Sequence, residues 1–178
     1  MKVTALVGSP RKGGNTDLLI DKILEGAKNA GASTRKIYLY DQMILPCADC
    51  RKCLKDLKCR ENDDMQKIYQ EIDDSDVIIF GTPIYWYTMS AVMKLLVDRL
   101  RPYTANNKLR GKRAALVIPS AEGIEACKDL LKIFTDIFNV LEVRLVDSLC
   151  VKAYELGEVK NQFESLEKAY RLGESISK

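Results

Sequence analysis

Five short apolar runs, separated by segments of helical period, predict a doubly wound α/β sandwich: a five-stranded parallel sheet with helices on both faces. Three of the five runs end in loops rich in small residues, at Gly8-Ser9-Pro10, Gly81-Thr82-Pro83 and Ser120-Ala121-Glu122-Gly123. At 178 residues, 47% hydrophobic and 30% charged, the chain makes one globular domain, 1–178, with a full-sized core. One stretch breaks the alternation, a cysteine-rich insertion at about residues 42–62.

The first run, residues 2–9, is bounded by Gly-Ser-Pro and reads as a buried strand. From Thr16 the period becomes helical. Leu19, Ile20, Ile23, Leu24 and Ala27 share a face, and Gly31 stands where a C-terminal cap belongs. A second strand over 34–40 completes a βαβ unit long enough for a right-handed crossover. After the insertion, Met65, Ile68, Tyr69 and Ile72 give a helical stripe, and 77–82 is a strongly apolar third strand. Met89, Val92, Met93, Leu96, Val97 and Leu100 line another helix, and 114–119 is the fourth strand. Cys127, Leu130, Leu131, Phe134, Ile137 and Phe138 stripe the next helix, 143–151 is the fifth strand, and 163–176 closes the chain as a helix. The result is a flavodoxin-like order of elements with continuous apolar strands. The sequence shows neither an internal repeat nor a linker.

Charge and composition exclude several classes. A net charge of +3 from 28 basic and 25 acidic residues, dispersed along the chain, argues against nucleic acid as a partner. The apolar run after Met1-Lys2 is too short for a signal sequence or a membrane span, which implies a cytoplasmic protein under reducing conditions. The chain has no histidine. Ser-His and Cys-His nucleophiles and histidine acid–base catalysis are thereby excluded, and any metal must be held by sulfur or carboxylate.

In open parallel sheets ligands bind beyond the carboxyl ends of the strands, so the loops after the first, third and fourth strands carry the chemistry. Gly8 to Thr16 runs into a helix N-terminus and reads as an anion cradle, to which Ser9, Asn15 and Thr16 add donors. It starts like a phosphate loop, Gly8 to Gly13, but continues Gly14-Asn15 where Lys and Ser/Thr would be required, which argues against nucleotide hydrolysis. The other reading is a polar turn without ligand. The second loop, Gly81 to Tyr87, sets Tyr85, Trp86 and Tyr87 just past a strand end, forming either a wall for a planar ring or an aromatic lid or interface. The third, Ser120 to Gly123, is small enough to let a flat ligand approach.

Cys47, Cys50, Cys53 and Cys59 are four of the six cysteines. Three in immediate C-x2-C-x2-C succession cannot all pair neatly as disulfides and read as metal ligands, for zinc or an iron-sulfur cluster. Zinc tetrathiolates usually draw on two separated pairs, so the spacing favours a 4Fe-4S cluster. Arg51, Lys52, Lys55, Lys58 and Arg60 either offset the negative charge of such a site or are simply the solvated face of the loop. Cys127 and Cys150, on a helix stripe and in a strand, read as small core residues.

Gly8-Ser-Pro-Arg-Lys-Gly-Gly-Asn-Thr16, Gly81-Thr-Pro-Ile-Tyr-Trp86 and Met93-Lys-Leu-Leu-Val-Asp-Arg99 resemble the NADPH-dependent FMN reductase group of the flavodoxin-like fold. With the C-x2-C-x2-C-x5-C insertion, the resemblance narrows to the iron-sulfur flavoproteins. It covers roughly the first two-thirds of the chain. The resemblance implies that Ser9, Arg11, Asn15 and Thr16, in the loop turned at Gly13, hold the FMN phosphate. Pro83, Ile84, Tyr85 and Trp86 would flank the isoalloxazine and ribityl chain, with Ser120, Ala121, Glu122 and Gly123 on its other side. It implies homodimers or homotetramers in which the cluster of one subunit lies near a neighbour's flavin. The donor would be a redox protein such as ferredoxin, or NAD(P)H, and the acceptor a small oxidant such as oxygen, peroxide or a quinone.

The expected activity is electron transfer between a 4Fe-4S cluster, FMN and a small acceptor, with the chemistry on the flavin and no catalytic side chain. Two alternatives stand beside it. One is an NAD(P)H-dependent FMN or quinone reductase with a structural zinc in the cysteine loop; the other is a non-enzymatic redox or metal sensor.

Overall fold

A computed structural model describes residues 1–178. Its central sheet contains β1 (Lys2–Val7), β2 (Ser33–Tyr38), β3 (Val77–Gly81), β6 (Arg113–Ser120) and β7 (Arg144–Lys152), all parallel, in the order β2-β1-β3-β6-β7. The strand order reverses between β1 and β3. Crossovers from that point run to opposite faces and leave a crevice at the carboxyl ends, the usual ligand position in such sheets.

The three central strands are buried except at their first charged residues, Lys2 and Arg113, as their apolar runs require. Leu6, Ile78, Phe80, Leu116 and Ile118 face one core and Val3, Ala5, Val7, Ile79 and Val117 the other. The edge strands depart from the expected continuous burial: β2 and β7 have outward positions that reach solvent, consistent with Arg35 and Lys36 in β2 and Asp147 in β7.

Helices α1 (Asn15–Asn29) and α7 (Phe163–Ile176) cover one face. They cross closely because Gly26 and Gly173 lie at the crossing, where a Cβ on either would overlap the other helix's backbone at Tyr170 and Ile23. The other face is covered by α3 (Met65–Asp73), α4 (Ala91–Asp98) and α6 (Ile124–Val140), with Phe80, Phe134 and Phe138 clustered beneath them at centroid separations of 5.2–5.8 Å.

The predicted elements are present, with shifted ends. The second strand stops at Tyr38 and turns through a 3₁₀ segment, Leu39–Asp41. The helix expected from Met89 begins at Ala91, capped by Ser90, whose side chain accepts from the Met93 N–H. Met89 instead belongs to a hairpin, β4 (Ile84–Tyr85) and β5 (Thr88–Met89). Two short helices are additional: α2 (Lys52–Asp56), inside the cysteine insertion, and α5 (Tyr103–Asn106).

Candidate functional site

The loops after β1, β3 and β6 meet at the carboxyl edge of the sheet. The Gly8 N–H donates to the Gly81 carbonyl at 2.7 Å, and the Ser90 hydroxyl donates to the Gly8 carbonyl at 2.5 Å. The Ser90 N–H donates to the Thr82 hydroxyl, and the Thr82 N–H to the Val117 carbonyl. The N-cap of α4 therefore locks the first two loops together.

In the first loop Gly13 has φ +71°, a left-handed turn that favours glycine, and α1 starts at Asn15 without a side-chain cap. The N–H groups of Asn15, Thr16 and Asp17 donate to no carbonyl of the chain. These free donors, at the positive end of the helix, are what an anion site requires. Ser9 and Thr16 are buried beside them, Arg11 is exposed, and Ser9 Oγ accepts from the Arg11 N–H. Asn15 is already engaged: its amide donates to the Glu155 carbonyl at 2.8 Å and accepts from the Val159 N–H at 3.2 Å, bracing the loop against the chain after β7.

Asp17 is the residue that the sequence reading missed. Its carboxylate, 4% exposed, accepts from the Gly13 N–H at 2.7 Å, Lys36 Nζ at 2.9 Å and the Tyr38 hydroxyl at 2.8 Å. Burial pushes this carboxyl up, but the bonds from Lys36, Gly13 and Tyr38 outweigh it and hold it below the usual range. The Gly13 N–H is thus spent on Asp17, and Gly13 shapes the loop rather than offering a free donor. The signal was a carboxylate at the third helical position, which reaches back as in a capping box.

The second loop is the hairpin. Its two-residue turn is Trp86-Tyr87, with φ of +49° and +66°. A turn with two positive φ values ordinarily takes Asn-Gly or Gly-Gly, and bulky side chains there are strained. Trp86 is 92% exposed and Tyr87 and Tyr85 are also exposed, so no packing accounts for the strain. Ile84, Trp86 and Tyr87 line one side of a cavity of 210 Å³, and Ser120, Ala121, Glu122 and Ala126 the other. The structure thus brings the second and third predicted loops together; Pro83 lies at the head of the hairpin. In the third loop Ser120 Oγ accepts from the Glu122 N–H, and Gly123, at φ +83°, starts α6.

A larger groove, 640 Å³, lies between α2, α4 and α6, lined by Leu54, Val97, Leu100, Ile137, Val140 and Leu141 among others. Its lining includes no residue of the loops at the carboxyl ends of the strands, and it lacks the free backbone donors of the first loop.

The insertion is clamped at both ends by Arg99, at the C-terminus of α4. Arg99 donates to both oxygens of Asp63, at 2.5 and 3.1 Å, and to the Leu45 carbonyl at 2.8 Å, while the Leu45 N–H donates to Asp63 at 2.8 Å. Both side chains are 1% exposed. Arg101 pairs with Asp49 between the first two cysteines, and Asn106 donates to the Leu57 carbonyl. Within the loop Asp49, Arg51 and Leu57 all have positive φ without being glycine, and the last two bound α2.

Cys53 is buried, Cys59 half-buried, and Cys47 and Cys50 exposed. No three of them form a metal-ligating group in this conformation. They are nevertheless neighbours: burial, then Cys59, and more weakly Cys50 and Cys47, push the Cys53 thiol up, against the pull of Arg101. Arg99 Nε is buried without an acceptor, and Cys59 lies within electrostatic reach of Arg99. Cys127 and Cys150, expected as separate core residues, are joined by a disulfide between α6 and β7. Their Cα atoms, 6.4 Å apart, are within bonding range.

The family described as NADPH-dependent FMN reductase matches residues 1–152. An iron-sulfur flavoprotein of Methanocaldococcus jannaschii is 31% identical, with 99% of this chain and 96% of that protein covered. A Bacillus subtilis protein named as an NAD(P)H-dependent FMN-containing oxidoreductase is 27% identical, over 97% of this chain and 96% of its own. Among solved structures, an NAD(P)H:quinone oxidoreductase from Methanothermobacter marburgensis superposes with a TM-score of 0.79 at 15% identity, covering all of this chain and 96% of that one, a likeness of fold.

Proposed function

The chain belongs to the NADPH-dependent FMN reductase family and, within it, to the iron-sulfur flavoproteins, and from that premise we propose that it passes electrons between a 4Fe-4S cluster, FMN and a small acceptor. That it is a flavin-dependent oxidoreductase follows from the family, and the sensor reading falls away.

The observation that carries the finer reading is the position of α4. Its first residue's cap, Ser90, fastens the FMN-side loops, and its last residue's neighbour, Arg99, fastens both ends of the cysteine insertion. The eight residues of α4 separate the two anchors, about 13 Å along the axis. On this reading α4 is the strut that would join the two sites.

The first loop's free donors suit an anion, and the four thiols are the right ligand type for a cluster, although their sulfurs are not gathered in this conformation. The free N–H groups of Asn15, Thr16 and Asp17 would hold the FMN phosphate, with Ser9, Thr16 and Arg11 around it, and Asp17 and Asn15 would brace the loop behind. Ile84, Tyr85 and Trp86, with Pro83, and Ser120 to Gly123 would border the ring. Cys47, Cys50, Cys53 and Cys59 would ligate the cluster, Arg99 Nε would find the acceptor it lacks, and Arg101 would offset charge. When bound, the cluster supplies single electrons and the flavin two-electron chemistry. The chain's own part is to hold, orient and tune; no side chain moves a proton. The donor is a ferredoxin-like protein or NAD(P)H, the acceptor a small oxidant, and the assembly a homodimer or homotetramer. No helix is long and apolar enough to cross a membrane.

A second reading, an NAD(P)H-dependent FMN or quinone reductase with zinc stapling the insertion, draws on the family match, whose description names NADPH and FMN. Cys50→Ser separates the two. On the main reading it removes iron and sulfide while FMN stays bound at one per chain; a parent protein holding zinc without sulfide, and a variant that loses that zinc with unchanged turnover with NAD(P)H, would favour the second.

A further inference from the structure

The Cys127–Cys150 bond lies behind the third loop of the flavin site. Cys127 is in the first turn of α6, one residue from Ala126, which lines the 210 Å³ cavity between that loop and the aromatic hairpin. Both sulfurs converge on the carbonyl of Gly123, the residue that joins the loop to α6, at 3.6 Å from Cys127 and 3.9 Å from Cys150. The Ile118 carbonyl is also 3.6 Å from Cys127. Thiols can donate weakly to these carbonyls, whereas disulfide sulfurs cannot. What the Gly123 carbonyl meets therefore depends on the oxidation state of this pair, while the Gly123 N–H bonds to the Ser120 carbonyl in either state. As a dithiol, the pair makes weak S–H contacts to the loop; as a disulfide, it ties α6 covalently to β7 across a separation of 23 residues.

We propose that Cys127 and Cys150 form a reversible dithiol–disulfide site, exchanging with a small thiol or a protein dithiol, whose state sets how tightly the Ser120–Gly123 loop holds the flavin. Cys127 is 3% exposed and Cys150 is partly exposed, so attack comes at the Cys150 sulfur. The incoming thiolate bonds to Cys150 Sγ, the Cys127–Cys150 bond breaks, and Cys127 leaves with the bonding pair and takes up a proton, after which its S–H can donate to the Gly123 or Ile118 carbonyl. A second thiol releases Cys150 from the mixed disulfide. In sum, two thiols and the protein disulfide give one external disulfide and two protein thiols, two electrons and two protons passing to the pair. The disulfide form preorganises the loop and binds FMN more tightly. By linkage, bound FMN favours the disulfide by the same factor. The coupling to FMN rests on the flavin site proposed above; the thiol chemistry does not.

The test uses the flavin-loaded protein, equilibrated without oxygen in glutathione buffers of graded oxidation. Differential alkylation with mass spectrometry follows Cys127 and Cys150 separately from the four loop cysteines. FMN affinity is read from the fluorescence of flavin released on dilution. The expected result is that Cys127 and Cys150 become protected and unprotected together, and that the disulfide form holds FMN about five-fold or more tightly. Cys150→Ala abolishes the dependence of affinity on the buffer, which separates it from effects at the loop cysteines. A pair alkylated at every ratio, or a bond that dithiothreitol does not reduce in the folded protein, overturns the proposal. So does equal affinity in both states, or tighter binding by the dithiol. Failure to bind FMN in either state overturns the flavin assignment and the coupling with it, and is recognised by alkylation that still tracks the buffer.

Discussion

Arg99 and Asp63 form a bidentate ion pair, each side chain 1% exposed, which joins the C-terminus of α4 to the end of the cysteine insertion 36 residues away. Breaking such a pair leaves a buried charge alone, and its partner geometry lost.

Arg99→Met is accordingly expected to destabilise the fold by about 3 kcal/mol and to free both ends of the insertion. Urea denaturation checks the first consequence and iron content the second. Arg99→Met with Asp63→Leu should recover part of the stability, because no charge is then stranded although the Leu45 and Met65 N–H groups lose their acceptor, but not the iron. Full iron loading in the single variant would show that the clamp does not position the loop.

Asp17 and Asp63 give acid sensitivity. Burial raises each carboxyl, but hydrogen bonds outweigh it, from Lys36, Gly13 and Tyr38 for Asp17 and from Arg99 and the Leu45 and Met65 N–H groups for Asp63. Both folded values lie below the unfolded one of about 3.9. The stability that they contribute is therefore fully present above that value and is lost as pH falls through the folded values. Urea midpoints should fall steeply below about pH 4, and less steeply in Asp17→Asn, which is already weaker at neutral pH. An equal acid slope in the variant would remove Asp17 from this account.

Trp86 and Tyr87 hold a turn that neither side chain favours. Replacing Trp86→Asn and Tyr87→Gly together should relieve about 1–2 kcal/mol of strain and raise the denaturation midpoint. On the proposed flavin site, FMN affinity or turnover should fall at the same time, since the exposed rings pack against nothing in the chain and would border the ligand. A more stable variant with unchanged flavin binding and turnover would mean that the aromatic turn serves neither.

Much of the fold was legible in the sequence because the three central strands are buried on both faces and the large helices show one apolar stripe each. The exceptions have physical causes. Strands β4 and β5 are two residues long, too short for any period, and their turn lacks the Gly or Asn that announces a hairpin. The second strand's polar positions, Arg35 and Lys36, show that it is an edge, a signal available in the residues themselves. At the site, the small-residue loops and the cysteine spacing were readable from local chain. The Asp17–Lys36–Tyr38 network, the Arg99–Asp63 clamp and the Cys127–Cys150 bond join residues 19 to 36 positions apart, and only the tertiary fold brings them together. A carboxylate beside an anion cradle also reads as unfavourable until its lysine is found.

The most direct measurement is the cofactor content of the protein purified without oxygen, with its absorbance spectrum. About four iron and about four acid-labile sulfides per FMN are expected, with a broad iron-sulfur absorption beneath the flavin bands. FMN accompanied by zinc and no sulfide would contradict that expectation.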